Sequence, residues 1–233
     1  MMVRKGLLFS IPLFVAIALL GLAGWLMTPE GQAIAVHWNM AGEVDRTAGP
    51  IEAFLAIPGT ALVLIAIFAI APAIDPRGRN LQRSKPLWLA GWLGSLFILA
   101  IAQGVITLSA VGLVEMSGST MPRLIGSVVA VFIMVIGNAL GKARPNWFAG
   151  IRTPWSLSSD RSWDVTHRWG ARLFMAAGLI SLPALWITEG QTAWIVMAAA
   201  VASAALVSTV LSYLVWRKDP ERETYSADNH DGT

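Results

Sequence analysis

Six stretches of the chain contain no Asp, Glu, Lys or Arg: residues 7–27, 53–74, 87–114, 124–141, 173–188 and 190–216. They run from 16 to 28 residues and hold 132 of the 233 positions. A helix that crosses the hydrocarbon core of a bilayer needs about 20 apolar residues. The pattern therefore predicts an all-α, polytopic membrane bundle of about six transmembrane helices. Strands of an outer-membrane barrel alternate apolar and polar positions and never give runs this long.

Composition agrees and excludes other classes. Hydrophobic residues make up 55% of the chain and charged residues 13%, where soluble domains carry about 25% charged. Mean hydropathy is +0.61. A soluble domain and a disordered chain are both excluded. The chain has no cysteine, so disulfides, thiolate metal sites and a cysteine nucleophile are excluded as well. The first apolar run is longer than the 7–15 residues of a signal-peptide core, and no A-x-A cleavage site follows it. An uncleaved first span is expected.

Charge placement gives the topology. With the N-terminus inside, 15 of the 17 basic residues fall on the inner face, and only Arg46 and Arg123 fall outside. The positive-inside rule then predicts that both termini are cytoplasmic. The net charge of +3 and the pI near 9.7 follow from these loops, so no direct nucleic-acid partner is expected. The expected layout is 1–52 for the first helix and an outer loop and 53–141 for helices two to four. An inner loop at 142–168, helices five and six at 169–218 and a polar, disordered cytoplasmic tail at 219–233 complete it.

Finer features refine the bundle. Trp25, Trp88, Trp92, Trp186, Trp194 and Trp216 lie near span ends, where an indole suits the headgroup zone. Gly137 with Gly141, and the stripe Ala200, Ala204, Ser208 and Ser212, offer small surfaces for close helix contact, expected within one chain. Pro58, Pro72 and Pro183 are expected to bend or end their helices. No charged residue sits mid-span, which argues against an ion-coupled transporter or proton relay.

Two loops hold the chemistry. In the outer loop, Ile34, Val36 and Trp38 alternate and Ala41-Gly42 reads as a turn. The loop brings His37, Trp38, Asn39, Gly42, Glu43, Asp45 and Arg46 together in sequence. His37, Glu43 and Asp45 give only three mixed groups in a turn, short of a typical zinc set, so no metal or other cofactor is expected. In the inner loop, Lys142, Arg144, Pro145, Asn146, Trp147, Gly150, Arg152, Thr153, Pro154 and Trp155 precede Trp163, Thr166, His167 and Arg168. Ser158 or Ser159 can cap a helix with Asp160 in its first turn, and Trp163, His167 and Gly170 then share one face. The loop reads either as an interfacial elbow or as a docking surface in which arginines supply charge and tryptophans supply anchor area.

An enzyme is not expected. His37 and His167 lie on opposite faces of the membrane, and no nucleophile elbow, zinc-protease motif or phosphate loop is present. The pair His167 and Asp164 reads more simply as a local hydrogen bond or ion pair than as a catalytic couple.

The inner motif, Gly-Lys-x-Arg-Pro-Asn-Trp-Phe-x-Gly-Ile-Arg-Thr-Pro-Trp-Ser-Leu-Ser-Ser followed by Trp163 and Thr166-His167-Arg168, resembles the signature of the SdpI family of bacterial membrane proteins. The outer stretch His-Trp-Asn-x-x-Gly-Glu-x-Asp-Arg is similar to the DUF1648 segment that precedes that signature in many members. The resemblance implies a multi-pass protein of the bacterial cytoplasmic membrane. It also implies immunity to a secreted, membrane-active peptide toxin, and signalling in which a soluble cytoplasmic repressor is held at the membrane. Two further readings stay open: a small-molecule or lipid transporter, suggested by Gln103 and Asn138, and a membrane enzyme acting on lipid headgroups. The oligomeric state is open.

Overall fold

The computed structural model describes residues 2–115, 118, 120–188 and 191–222. Six of its helices are long and apolar enough to cross a membrane: α1 (Met2–Met27), α2 (Pro50–Ile74), α4 (Lys85–Ala110), α5 (Thr120–Leu140), α7 (Asp160–Ile187) and α8 (Gln191–Arg217). At 1.5 Å per residue they are roughly 32–42 Å long, enough for a bilayer core. A hairpin of β1 (Ile34–Trp38) and β2 (Val44–Ala48) follows α1, and short helices α3 (Gly78–Arg83) and α6 (Pro154–Leu157) lie in the loops. The protein is a multi-pass helical membrane bundle.

Local chemistry sets the helix ends. Pro50 starts α2, where a missing N–H costs nothing, with Glu52 in the first turn. Ser159 caps α7, its hydroxyl accepting from the Ser162 N–H at 2.9 Å, with Asp160 in the first turn. Neither Pro58 nor Pro183 ends its helix, and α2 stops two residues after Pro72.

The spans form two groups of three. Helices α1, α2 and α4 pack together, α7 packs between α5 and α8, and the groups join chiefly along α4 and α5. In the first group a buried polar chain replaces mid-span charge. Gln103 Nε2 donates to the Ala53 carbonyl and to Thr107 Oγ1, and Thr107 Oγ1 donates to the Leu20 carbonyl at 3.0 Å. In the second group Gly137 lets α5 reach α7: a Cβ there would lie 2.8 Å from the Met175 nitrogen. Ala204, Ser208 and Ser212 are buried, and the Ser212 carbonyl accepts from Ser162 Oγ at 2.7 Å. The small-residue stripe is therefore used within the chain.

Two expectations change. Trp88 and Trp92 are core residues rather than interfacial anchors. Trp92 is fully buried and stacks on Phe68 at 5.6 Å, while Trp88 meets the same ring edge-on. Asp219, assigned to the polar tail, is buried and accepts from Ser159 Oγ at 2.5 Å. That bond pins the segment after α8 to the start of α7. Residues 223–233 of the expected tail lie outside the described residues.

Candidate functional site

The hairpin is built around Asn39. Its Oδ1 accepts from the backbone of Ala41 at 2.9 Å and of Glu43 at 3.0 Å, and its Nδ2 donates to Glu43 Oε2 at 2.9 Å. Gly42 closes the turn with φ +84°, a conformation that favours glycine. His37 Nδ1 lies 2.6 Å from Asp45 Oδ1, and Arg46 pairs with Glu52. Glu43 is thus held by Asn39 while His37 and Asp45 pair together. Among the described residues no three His, Asp or Glu side chains converge as a metal would need.

Ile34 is buried beneath the hairpin with Phe54, Ile106 and Ala110. Beside them Trp38 and His37 overhang a largely apolar crevice of about 300 Å³ that reaches Ile106 of α4, Pro122 of α5 and Trp194 of α8. The hairpin therefore roofs an opening between the two helix groups.

The opposite face is built by the 142–168 segment, and here buried polar side chains do most of the folding. Asn146 is fully buried and every polar valence is used. Oδ1 accepts from Phe148 N at 2.9 Å and Ala149 N at 2.7 Å; Nδ2 donates to the carbonyls of Arg144 at 2.7 Å and Ala149 at 3.0 Å. His167 is equally fixed. Its Nε2 accepts from the Ile151 N–H at 2.9 Å, so Nδ1 carries the proton donated to the Trp163 carbonyl at 2.8 Å. The ring stacks on Trp163 at 3.9 Å. Neither nitrogen is free to take a proton from a substrate.

Gly150 approaches this ring closely. Its φ is +126°, and a Cβ there would sit 2.3 Å from His167 Nε2. Trp163 Nε1 donates to the Ala143 carbonyl at 3.0 Å, tying the start of the loop to α7. Thr153 and Ser156 form a reciprocal capping box around Pro154, and Thr153 Oγ1 lies 2.8 Å from Ser212 Oγ on α8.

The first helix group holds the loop from the other side. Asn80 Nδ2 donates to the Pro145 carbonyl at 2.9 Å, and Ser84 Oγ accepts from the Arg144 N–H at 2.8 Å. Asp75 accepts from the N–H groups of Arg77 at 2.7 Å and Trp147 at 3.4 Å. Sequence reading missed Asp75, Asn80, Ser84 and Asp219 as partners of the loop, and gave Ser212 a packing role only. Only the Thr-Pro-x-Ser capping pattern could have been found by inspection; the other partners are 50 or more positions away in sequence.

The structure thus divides the inner motif. Asn146, Trp163, Thr166 and His167 are buried inside the fold, whereas Lys142, Arg144, Trp147, Arg152, Pro154 and Arg168 are exposed. Trp155 is half-buried against Tyr213, and Pro145 and Thr153 are half-buried. Arg152 reaches back to the Trp147 backbone carbonyl at 2.6 Å.

Residues 142–212 match the SdpI/YfhL protein family. Over this segment the chain is similar to the SdpI family. The matched region begins at the inner motif and ends at Ser212, the residue that bonds Thr153 and Ser162. Immunity protein SdpI of Bacillus subtilis (strain 168) is 25% identical to this chain over 187 residues, 80% of this chain and 85% of that protein. No solved structure matches. Within the matched region the buried Asn146, Ser156 and His167 are polar residues that shape the loop. The outer segment around His37 and Arg46 lies outside the family match.

Proposed function

We propose that this protein belongs to the SdpI family and gives a bacterial cell immunity to a membrane-active peptide toxin, acting in the cytoplasmic membrane by binding rather than catalysis. The observation that supports this reading most directly is the likeness to Immunity protein SdpI, which extends over 85% of that protein. The outer geometry suits the task. A hydrophobic peptide arriving from outside meets the hairpin and the apolar crevice under Trp38 and His37. Burial of apolar side chains there supplies affinity, and Asn39 at the crevice with Glu43, Asp45 and Arg46 elsewhere on the hairpin supply polar contacts.

In the signalling half of the proposal, a soluble cytoplasmic repressor docks on the exposed Trp147, Arg152 and Pro154. Arginine and tryptophan are the residue types that dominate protein interfaces. Coupling of the two faces requires that each ligand favour the same arrangement of the two helix groups.

Cells expressing the protein and cells lacking it are challenged with membrane-active peptides purified from the host's medium. Selective survival of expressing cells is expected, and equal survival with every peptide overturns the immunity reading. For the signalling half, a photoreactive residue at Trp155 is expected to capture a soluble DNA-binding protein, and Arg152→Ala to abolish capture. Crosslinks to lipid alone overturn that half.

A further inference from the structure

Two features of the inner half have no role in the reading above. One is a polar cleft of about 590 Å³ beside the end of α5, formed by Arg83, Lys142, Arg144, Asp164 and Arg168. Four cations face a single carboxylate, and that carboxylate already pairs with Arg168 at 4.0 Å. The Arg144 backbone is held by Ser84, yet its side chain is exposed. Such an excess of positive charge calls for an anion.

The other is an apolar groove of about 870 Å³ along the seam of α4 and α5, walled by Leu93, Phe97, Val131, Phe132 and Val135. The two features are neighbours along the chain. Pro86, at the inner end of the groove, follows Arg83 by three residues. Val135 precedes Lys142 by seven, about two helical turns. A groove among spans with a cluster of cations about one or two helical turns further along both of its helices matches one ligand class, an amphiphile with apolar chains and an anionic head.

We propose that this seam binds an anionic phospholipid, its phosphate in the cleft of Arg83, Lys142, Arg144 and Arg168 and its acyl chains in the α4–α5 groove. A zwitterionic headgroup is disfavoured because its own ammonium would enter a cluster of cations. A free phosphate shares the headgroup chemistry but leaves the groove unused. The inference is independent of the immunity reading, and the Trp147–Arg152 face stays free for a protein partner.

The test uses the full chain purified in detergent. Phosphatidylglycerol and phosphatidylcholine with identical chains are titrated against it, and retained lipid is counted by native mass spectrometry. A preference for phosphatidylglycerol of about tenfold is expected, since each cation near an anionic surface contributes severalfold. The double variant Lys142→Gln, Arg144→Gln is expected to bring that preference close to unity. Both side chains are exposed, and an unchanged melting temperature confirms that the variant is folded. Equal retention of the two lipids by the native chain overturns the proposal. So does an unchanged preference in the folded variant. Displacement of phosphatidylglycerol by millimolar inorganic phosphate assigns the cleft to a free anion and also overturns it.

Discussion

At the residue scale, the inner loop depends on side chains that do for the backbone what a helix or sheet would otherwise do. Asn146 satisfies two N–H groups and two carbonyls in a segment with no regular structure. Asn146→Ala leaves buried donors without partners and is expected to cost about 2–3 kcal/mol, read as a lowered melting temperature in detergent. Asn146→Asp keeps the acceptor but turns a carboxylate oxygen toward the buried Arg144 and Ala149 carbonyls, so its loss should be at least as large. Gly150→Ala places a methyl group against the His167 ring at a φ of +126°; an expected loss of about 1–3 kcal/mol from backbone strain alone is checked by the same melt. Asp219 makes a pH prediction. The Ser159 hydroxyl holds its carboxyl below the ordinary value of 3.8, assisted by the Glu221 N–H. The folded state therefore binds a proton less readily than the unfolded state. The stabilisation is whole above about pH 4 and is lost as pH falls through the lowered folded value. Unfolding followed from pH 5 to pH 3 should show this acid-side loss, and Ser159→Ala should flatten it.

Among the elements, the spans were legible in sequence and many of their partners were not. Charge-free runs located all six helices because lipid forbids unpaired backbone groups and disfavours charge. Alternation at Ile34, Val36 and Trp38 located β1, and Ser158 or Ser159 followed by Asp160 located the start of α7 to within one residue. Hydropathy could not separate Trp92 from Trp25: both indoles stand near span ends, yet one fills the core and the other is exposed. The burial of Asn146 and His167 was equally hidden, since their partners include backbone groups whose placement depends on contacts with Asn80 and Ser84, 60 or more positions away. Polar composition disguised Asp219 as tail. The α5–α7 contact carries a prediction at this scale: Gly137→Leu drives a side chain into the Met175 backbone. It is expected to separate the two helices and reduce folded yield in membranes severalfold, measured by protease resistance.

For the whole molecule, the charge distribution predicts that the hairpin faces outward and the inner loop faces the cytoplasm. The absence of native cysteine makes this directly measurable. Met40→Cys should react with a membrane-impermeant maleimide in intact cells, and Arg152→Cys only after permeabilisation. The opposite labelling pattern reverses the orientation and moves the hairpin to the cytoplasm.

The seam between the two helix groups has a further consequence. Each group of three spans packs mainly within itself, and the inner loop bridges them through Asn80, Ser84 and Asp75. The protein is in this sense a heterodimer written as one gene product, with the α4–α5 connection as its tether. Severed there, the two fragments should still find each other in the bilayer. What the intact chain adds is effective concentration, and the hydrogen bonds of the inner loop decide how tightly the fragments hold once the tether is gone.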